Sequence, residues 1–251
     1  SGNVADTRIY DDDLVCTALG FASASARCAS ALLSPGADLH AICAGLAADL
    51  AAPDLRHVLI FSDGRLVNGT TLSETFNSAL PDGVTLSGGF AGDGTDFAVT
   101  RVGLDAQPEP GMVVAVGLYG NSLRVGFGSV GGWSSFGPER TVTSSSGNVL
   151  RALDGRPALA LYKEYLGPAA AGLPSAALRF PLSVTTTEQP NSVVRTILSI
   201  DENEGTMTFA GDIPEGATAR LMRASYEEII GGAEDAARLA AQDADLVLCV
   251  T

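Results

Sequence analysis

The chain has 251 residues, 46% apolar and 18% charged, which is enough to build a sizeable core in one large domain or two small ones. A formal net charge of −14 and a pI near 4.4 disfavour nucleic acid, whose phosphates call for a cationic surface. They also disfavour anionic membrane surfaces, and no apolar run reaches the ~18–20 residues that span a bilayer.

Taken in chain order, Leu14 to Phe21 reads as a strand. Ala37 to Leu50 reads as a helix, with Leu39, Ile42, Cys43, Leu46 and Leu50 at helical spacing, Pro35-Gly36 before it and Pro53 after it. His57 to Phe61 is a second strand, Thr70 to Leu80 a helix stopped by Pro81-Asp82-Gly83, and Val84 to Leu86 a third strand. This alternation predicts some parallel pairing. Met112 to Tyr119 and Ser122 to Ser129 flank Gly120-Asn121, a hairpin signal. A strand pair follows at Thr141 to Ser144 and Val149 to Leu153, then a helix from about Arg156 to Leu166 between Pro157 and Gly167. Leu178 to Thr185, Ser192 to Ile200, Thr206 to Phe209 and Ala217 to Arg223 read as antiparallel strands, Tyr226 to Ala241 as a helix, and Asp245 to Thr251 as a core strand. The fold class is α+β or mixed α/β: layered, largely antiparallel sheets flanked by helices, with parallel strand–helix alternation in the N-terminal half. The domain division is placed at 154/155.

The segment Leu86-Ser87-Gly88-Gly89-Phe90-Ala91-Gly92-Asp93-Gly94-Thr95-Asp96-Phe97 concentrates four glycines and two aspartates after a strand. Such a loop brings backbone N–H groups close to a guest, and its Asp accepts from an amine or hydroxyl; equally, Asp93 can satisfy its own backbone in a turn. Asp63 and Asn68 lie on the turn after the second strand, Asp93 and Thr95 on the turn after the third. If those strands are parallel neighbours, both turns share the sheet edge where α/β sheets hold ligands. The candidate ligand-binding set is Asp63, Asn68, Gly89, Gly92, Asp93, Thr95 and Phe97, with Arg101 or Arg140 as a fork for a carboxylate and Trp133 with Phe97 as an apolar wall.

Other chemistry has thinner support. Gly126-Phe127-Gly128-Ser129-Val130-Gly131 fits G-x-G-x-x-G, but Gly132-Trp133-Ser134-Ser135-Phe136-Gly137 does not open the helix that a dinucleotide needs. Small residues there suit close approach of another layer or a ligand. With His40 and His57 the only histidines, a Ser-His-Asp triad has few ways to form. No metal site is expected: residues 11–13 read as a solvated acidic turn, and no His or Cys pair has ligand spacing. Cys16, Cys28, Cys43 and Cys249 form no C-x-x-C pair and read as buried free thiols.

The chain resembles the FIST sensory family. The resemblance rests on Ser62-Asp63-Gly64 with Val67-Asn68-Gly69, Gly88-Gly89-Phe90-Ala91-Gly92-Asp93-Gly94, and Phe97-Ala98-Val99-Thr100-Arg101-Val102. It continues in order through Gly132-Trp133, Gly147-Asn148-Val149, Leu153-Asp154-Gly155-Arg156-Pro157-Ala158, Tyr162-Lys163-Glu164-Tyr165-Leu166-Gly167, Pro181-Leu182 and Ile213-Pro214-Glu215-Gly216. It implies a FIST N-type region over 1–154 followed by a FIST C-type region over 155–251, both expected to be trimmed at their outer ends. It further implies a cytoplasmic, non-catalytic sensory module of bacterial signalling that binds a small polar ligand such as an amino acid. The partner would be a signalling protein such as a histidine kinase or a diguanylate cyclase or phosphodiesterase. No cofactor is predicted. A haem-based nitric-oxide sensor, with His57 or His40 as axial ligand, and an enzyme on a small amine or carboxylate, with Asp63 or Asp93 as general base, are the alternatives.

Overall fold

The computed structural model describes residues 3–5, 8–10, 14–34, 36–94, 96–188, 191–241 and 244–245. Thr95, the acidic run at 11–13, Cys249 and the strand expected at the C-terminus lie outside these. The described residues form two compact units, the first from residues up to 67 and 71–125, the second from residues 68–70 and 126–245. Four α-helices and mostly antiparallel sheets make up the described residues, an α+β protein as the sequence indicated.

The first unit holds the short pair β1 (Asn3–Ala5) and β2 (Arg8–Tyr10), then β3 (Ser25–Leu32), α1 (Leu39–Leu50), β4 (Leu55–Asp63), α2 (Gly69–Ala79) from its third residue, β5 (Thr85–Ala91) and β6 (Met112–Tyr119). Its four-stranded sheet runs β3-β6-β4-β5, with β4 and β5 parallel. Asp38 starts α1: its extended backbone lets the carboxylate accept from the N–H of His40 and Ala41, which the helix itself leaves unpaired. Cys43, Leu46, Ala47 and Leu50 then recur on one face and enter the core with Val58, Phe76 and Val113. The large ones among them, Leu46, Leu50, Val58, Phe76 and Val113, each contribute about 1.5–3 kcal/mol when fully buried. The far end is tied down by the Leu50 carbonyl, which accepts from the Tyr119 hydroxyl at 2.6 Å and from Arg27 at 3.2 Å.

Four expectations change in this unit. Leu14 to Phe21 is irregular and mostly exposed, and the strand lies instead at β3, whose eight residues register with all eight of β6, from Ser25 opposite Tyr119 to Leu32 opposite Met112. Ser122 to Ser129 forms no hairpin, because β3 and β4 already occupy both edges of β6. The third strand also runs on through the glycines to Ala91. Gly88, at φ +155°, lies so close to β4 that a Cβ there would stand 2.0 Å from the Ile60 carbonyl oxygen. The thiols are not all buried: Cys43 is, and burial pushes its pKa up to about 11, but Cys16 and Cys28 are exposed.

The second unit contains β7 (Trp133–Ser135), β8 (Arg140–Ser146), β9 (Val149–Leu153), β10 (Arg156–Pro157), α3 (Ala158–Leu166), β11 (Leu182–Thr185), β12 (Val193–Arg195), β13 (Ile197–Asp201), β14 (Thr206–Phe209), β15 (Thr218–Ala224) and α4 (Tyr226–Ala240). The antiparallel sheet runs β12-β11-β15-β8-β9-β14-β13, with β10 on β9 and β7 on β15. Asp154 and Gly155, both at positive φ, turn β9 into β10 in the two-residue way that Asp-Gly favours. Leu159, Leu161 and Tyr162 of α3 pack into a core with Leu150, Ile197 and Phe209. Residues 178–179, expected to be extended, belong to a 3₁₀ turn, and the expected strand 192–200 is divided between β12 and β13.

The G-x-G-x-x-G stretch is an irregular segment that runs antiparallel along α4. Added Cβ atoms would meet the helix at Ala240 from Gly126, at Ala236 from Gly128 (2.2 Å from its carbonyl oxygen) and at Ile229 from Gly132 (2.2 Å from its Cα). These glycines therefore admit a helix at backbone distance, and a strand, not a helix, follows them.

Candidate functional site

Because β4 and β5 are parallel with Asp63 opposite Ala91, their following turns emerge at the same sheet edge. There the two loops are knitted by their own carboxylates. Asp63, 2% exposed, accepts through Oδ1 from Arg65 N–H at 2.7 Å, Leu66 N–H at 3.4 Å and the Thr100 hydroxyl at 2.7 Å, and through Oδ2 from Gly111 N–H at 2.8 Å. Burial pushes its pKa up, but these donors outweigh burial and hold it below the ordinary carboxylate value. Asp93 accepts from Ala98 and Val99 N–H. Slight burial raises its pKa, and the same donors together with Phe97 N–H lower it by more. Arg65 donates to the Ala98 carbonyl, and Gly64 N–H to Thr100. Phe97 is half-buried at φ 49°, a left-handed position rare for an aromatic residue. Gly89 sits in β5 and is exposed, as are Gly92, just past that strand, and Arg101.

Arg140 lies in the second unit, at the start of β8. It lines a small recess whose walls are mainly apolar, formed by Leu153, Leu161, Leu182, Ala219 and Leu221 with Tyr162 and Tyr165. Its guanidinium is held from two sides. Nε and Nη2 donate to the Tyr165 hydroxyl at 3.0 and 2.6 Å, and Nη1 donates to Asp154 Oδ2 at 3.0 Å. Asp154 is itself fixed by the N–H of Thr141 at 2.8 Å. The Tyr165 hydroxyl, then Asp154, raises the Arg140 pKa; the Thr141 N–H, then Arg140, lowers that of Asp154. Both groups therefore stay charged. Three of the guanidinium's N–H groups are used inside the fold, and one on each terminal nitrogen remains. The side chains are 31% and 36% exposed, so the pair adds little stability; it orients a fork.

The remaining candidates are dispersed. Asn68 belongs to a polar cluster of the second unit: its Oδ1 accepts from Thr70 N–H, and its Nδ2 donates to Asp212 Oδ1 at 2.6 Å. Arg195 donates to the Asp212 carbonyl and to the Thr70 hydroxyl. Trp133 packs in β7 against β15, with its Nε1 buried and without a hydrogen-bond partner. Both ring nitrogens of buried His57 are engaged, Nδ1 with Thr85 Oγ1 at 2.6 Å and Nε2 with Ser87 Oγ at 2.9 Å, and burial lowers its pKa. His57 thus has no free nitrogen for a haem iron. His40, exposed at the start of α1, is hydrogen-bonded through Nδ1 to Thr75. Among the described residues, no three His, Cys, Asp or Glu side chains cluster as metal ligands.

Sequence reasoning selected Arg140 but not its partners. Tyr165 is the eighth residue of α3 and Asp154 lies in a turn, and only the β8-β9-β10 hairpins with α3 bring them to the guanidinium. An Asp-Gly turn followed by Tyr-x-x-Tyr was the available signal.

The fold and the oriented fork define a two-unit α+β protein with a small polar-rimmed recess in its second unit. Residues 1–156 match the FIST N domain and residues 158–251 the FIST C domain, in that order. The chain belongs to the FIST family, whose domains are sensory domains of signal transduction. No curated protein and no solved structure is significantly similar to it. No helix among the described residues is long and apolar enough to cross a membrane.

Proposed function

We propose that the chain is a non-catalytic sensory module that binds a small zwitterion, an amino acid by preference, at the Arg140 recess and passes occupancy to a cytoplasmic signalling partner. The observation that supports this most is the pre-oriented Arg140–Asp154 pair beside an apolar wall. The two remaining guanidinium N–H groups suit a carboxylate, Asp154 suits an ammonium, and the recess beside them, about 20 Å³, admits a substituent no larger than a methyl group.

Binding is favoured over catalysis because neither candidate base is tuned for proton abstraction. A general base works best with a pKa near the working pH, whereas Asp63 and Asp93 both lie below the ordinary carboxylate value. Calorimetric titration of the twenty amino acids tests the assignment. One chemical subset binds wild-type protein, and Arg140→Lys, which keeps the charge and loses the fork, weakens that binding at least about tenfold, or about 1.4 kcal/mol. Undiminished affinity in Arg140→Lys contradicts the assignment.

A further inference from the structure

Helix α4 is packed inside out. Its inner face is small, with Gly232 buried and Ala236 and Ala240 against the glycine segment. Its large apolar residues lie outside: Tyr226 is 88% exposed, Ile230 60% and Ile229 48%. Tyr226, Ile230, Ala233 and Ala237 are spaced four, three and four residues apart, the seam spacing of a helix that lies along another helix. Exposed Glu227 and Glu234 border that seam on one side. The helix does not depend on a cover to form. Ser225 Oγ accepts from Glu228 N–H at 3.2 Å, capping the N-terminus, and the Glu228 carboxylate accepts from the Ser225 hydroxyl at 2.8 Å.

We propose that this outer face of α4 docks an amphipathic helix of a partner protein, with leucine-like anchors on the Tyr226–Ile230 seam and lysines or arginines opposite Glu227 and Glu234. Charge selects the occupant. A second copy laid antiparallel along the seam would set these glutamates against each other, and two chains of net charge −14 repel. A basic-flanked helix gains at both places, as in known helix-in-groove recognition.

The test uses the full chain and two labelled helical peptides with the same leucine spacing, one flanked by Lys and one by Glu, read by fluorescence anisotropy at low and high salt. The Lys peptide is expected to bind, more weakly at high salt, and the Glu peptide not to bind. Ile230→Glu should cut affinity at least about tenfold, with Trp133 emission and thermal midpoint unchanged because the side chain is exposed. Glu227→Lys with Glu234→Lys should transfer binding to the Glu peptide. The proposal is overturned by failure of the Lys peptide to bind, by equal binding of both peptides, or by full affinity in Ile230→Glu. It is overturned equally if sedimentation shows a wild-type dimer that Ile230→Glu splits, since a second copy then covers the face.

Discussion

Asp63 shows how a residue that reads as a ligand from its neighbours can be committed to its own fold. Four donors converge on its carboxylate at the ends of β4 and β5. Asp63→Asn turns one oxygen into a donor that faces another donor, and should cost about 1–3 kcal/mol in urea unfolding. An unchanged midpoint would show that the donors have other acceptors. His57 makes a second residue-scale prediction. Its folded pKa lies below its ordinary value of 6.5, so below that pH the unfolded chain binds the proton more readily. Its contribution is complete above about pH 6.5 and is lost as the pH falls through and below it. Asp63, also depressed, loses its own contribution only when the pH drops below its ordinary 3.8 toward the lower folded value. Urea midpoints from pH 8 down to 5 should therefore decline, and His57→Gln should flatten that decline. A slope unaffected by the substitution would assign the effect to other groups. The sequence could not separate these roles, since an Asp after Ser62 before Gly64 looks the same whether it accepts from Thr100 and Gly111 or from a guest.

Elements were legible where the local signal and the tertiary partner agree. The Leu39, Ile42, Cys43, Leu46 and Leu50 spacing between Pro35-Gly36 and Pro53 marks α1, and the run from Tyr226 to Ala241 marks α4; both helices form within two residues of the expected bounds. Strands depended on available edges. Leu14 to Phe21 is as apolar as a strand needs, yet β6 pairs with Ser25–Leu32 instead, and the Gly120-Asn121 signal has no free edge to serve. The glycines of residues 126–132 match G-x-G-x-x-G, yet the residues after them rule out a phosphate loop and point to close approach of another layer, which in space is α4. A β-branched residue there makes the role measurable. Gly128→Val must displace α4 because even the first added carbon falls 2.2 Å from the Ala236 carbonyl oxygen. It should cost about 1–3 kcal/mol, as overpacking generally does, and raise amide exchange across α4. Gly137→Ala, where nothing lies within 4 Å, is strained only by its φ of +72° and should leave α4 protected. Equal exchange in both variants would refute the packing role.

At the scale of the whole molecule, ordered short motifs spread over the chain carried more information than any one of them, and they led to the FIST N and FIST C assignments. The candidate site was less legible. The sheet-edge position of the Asp63 and Asp93 turns followed from strand–helix alternation, but the oriented Arg140 fork is assembled from β8, a β9–β10 turn and α3, which no local pattern links. The central claim is that this chain senses a small zwitterion. A thermal-shift series over the amino acids, with their deaminated and decarboxylated counterparts, tests it most directly. A ligand at 100 times its Kd stabilises by about 2.7 kcal/mol, a rise of several degrees. The account predicts such a rise for one group of amino acids, and smaller rises for analogues that lack the ammonium or the carboxylate. No rise with any amino acid, or an equal rise with an amine that has no carboxylate, would contradict it.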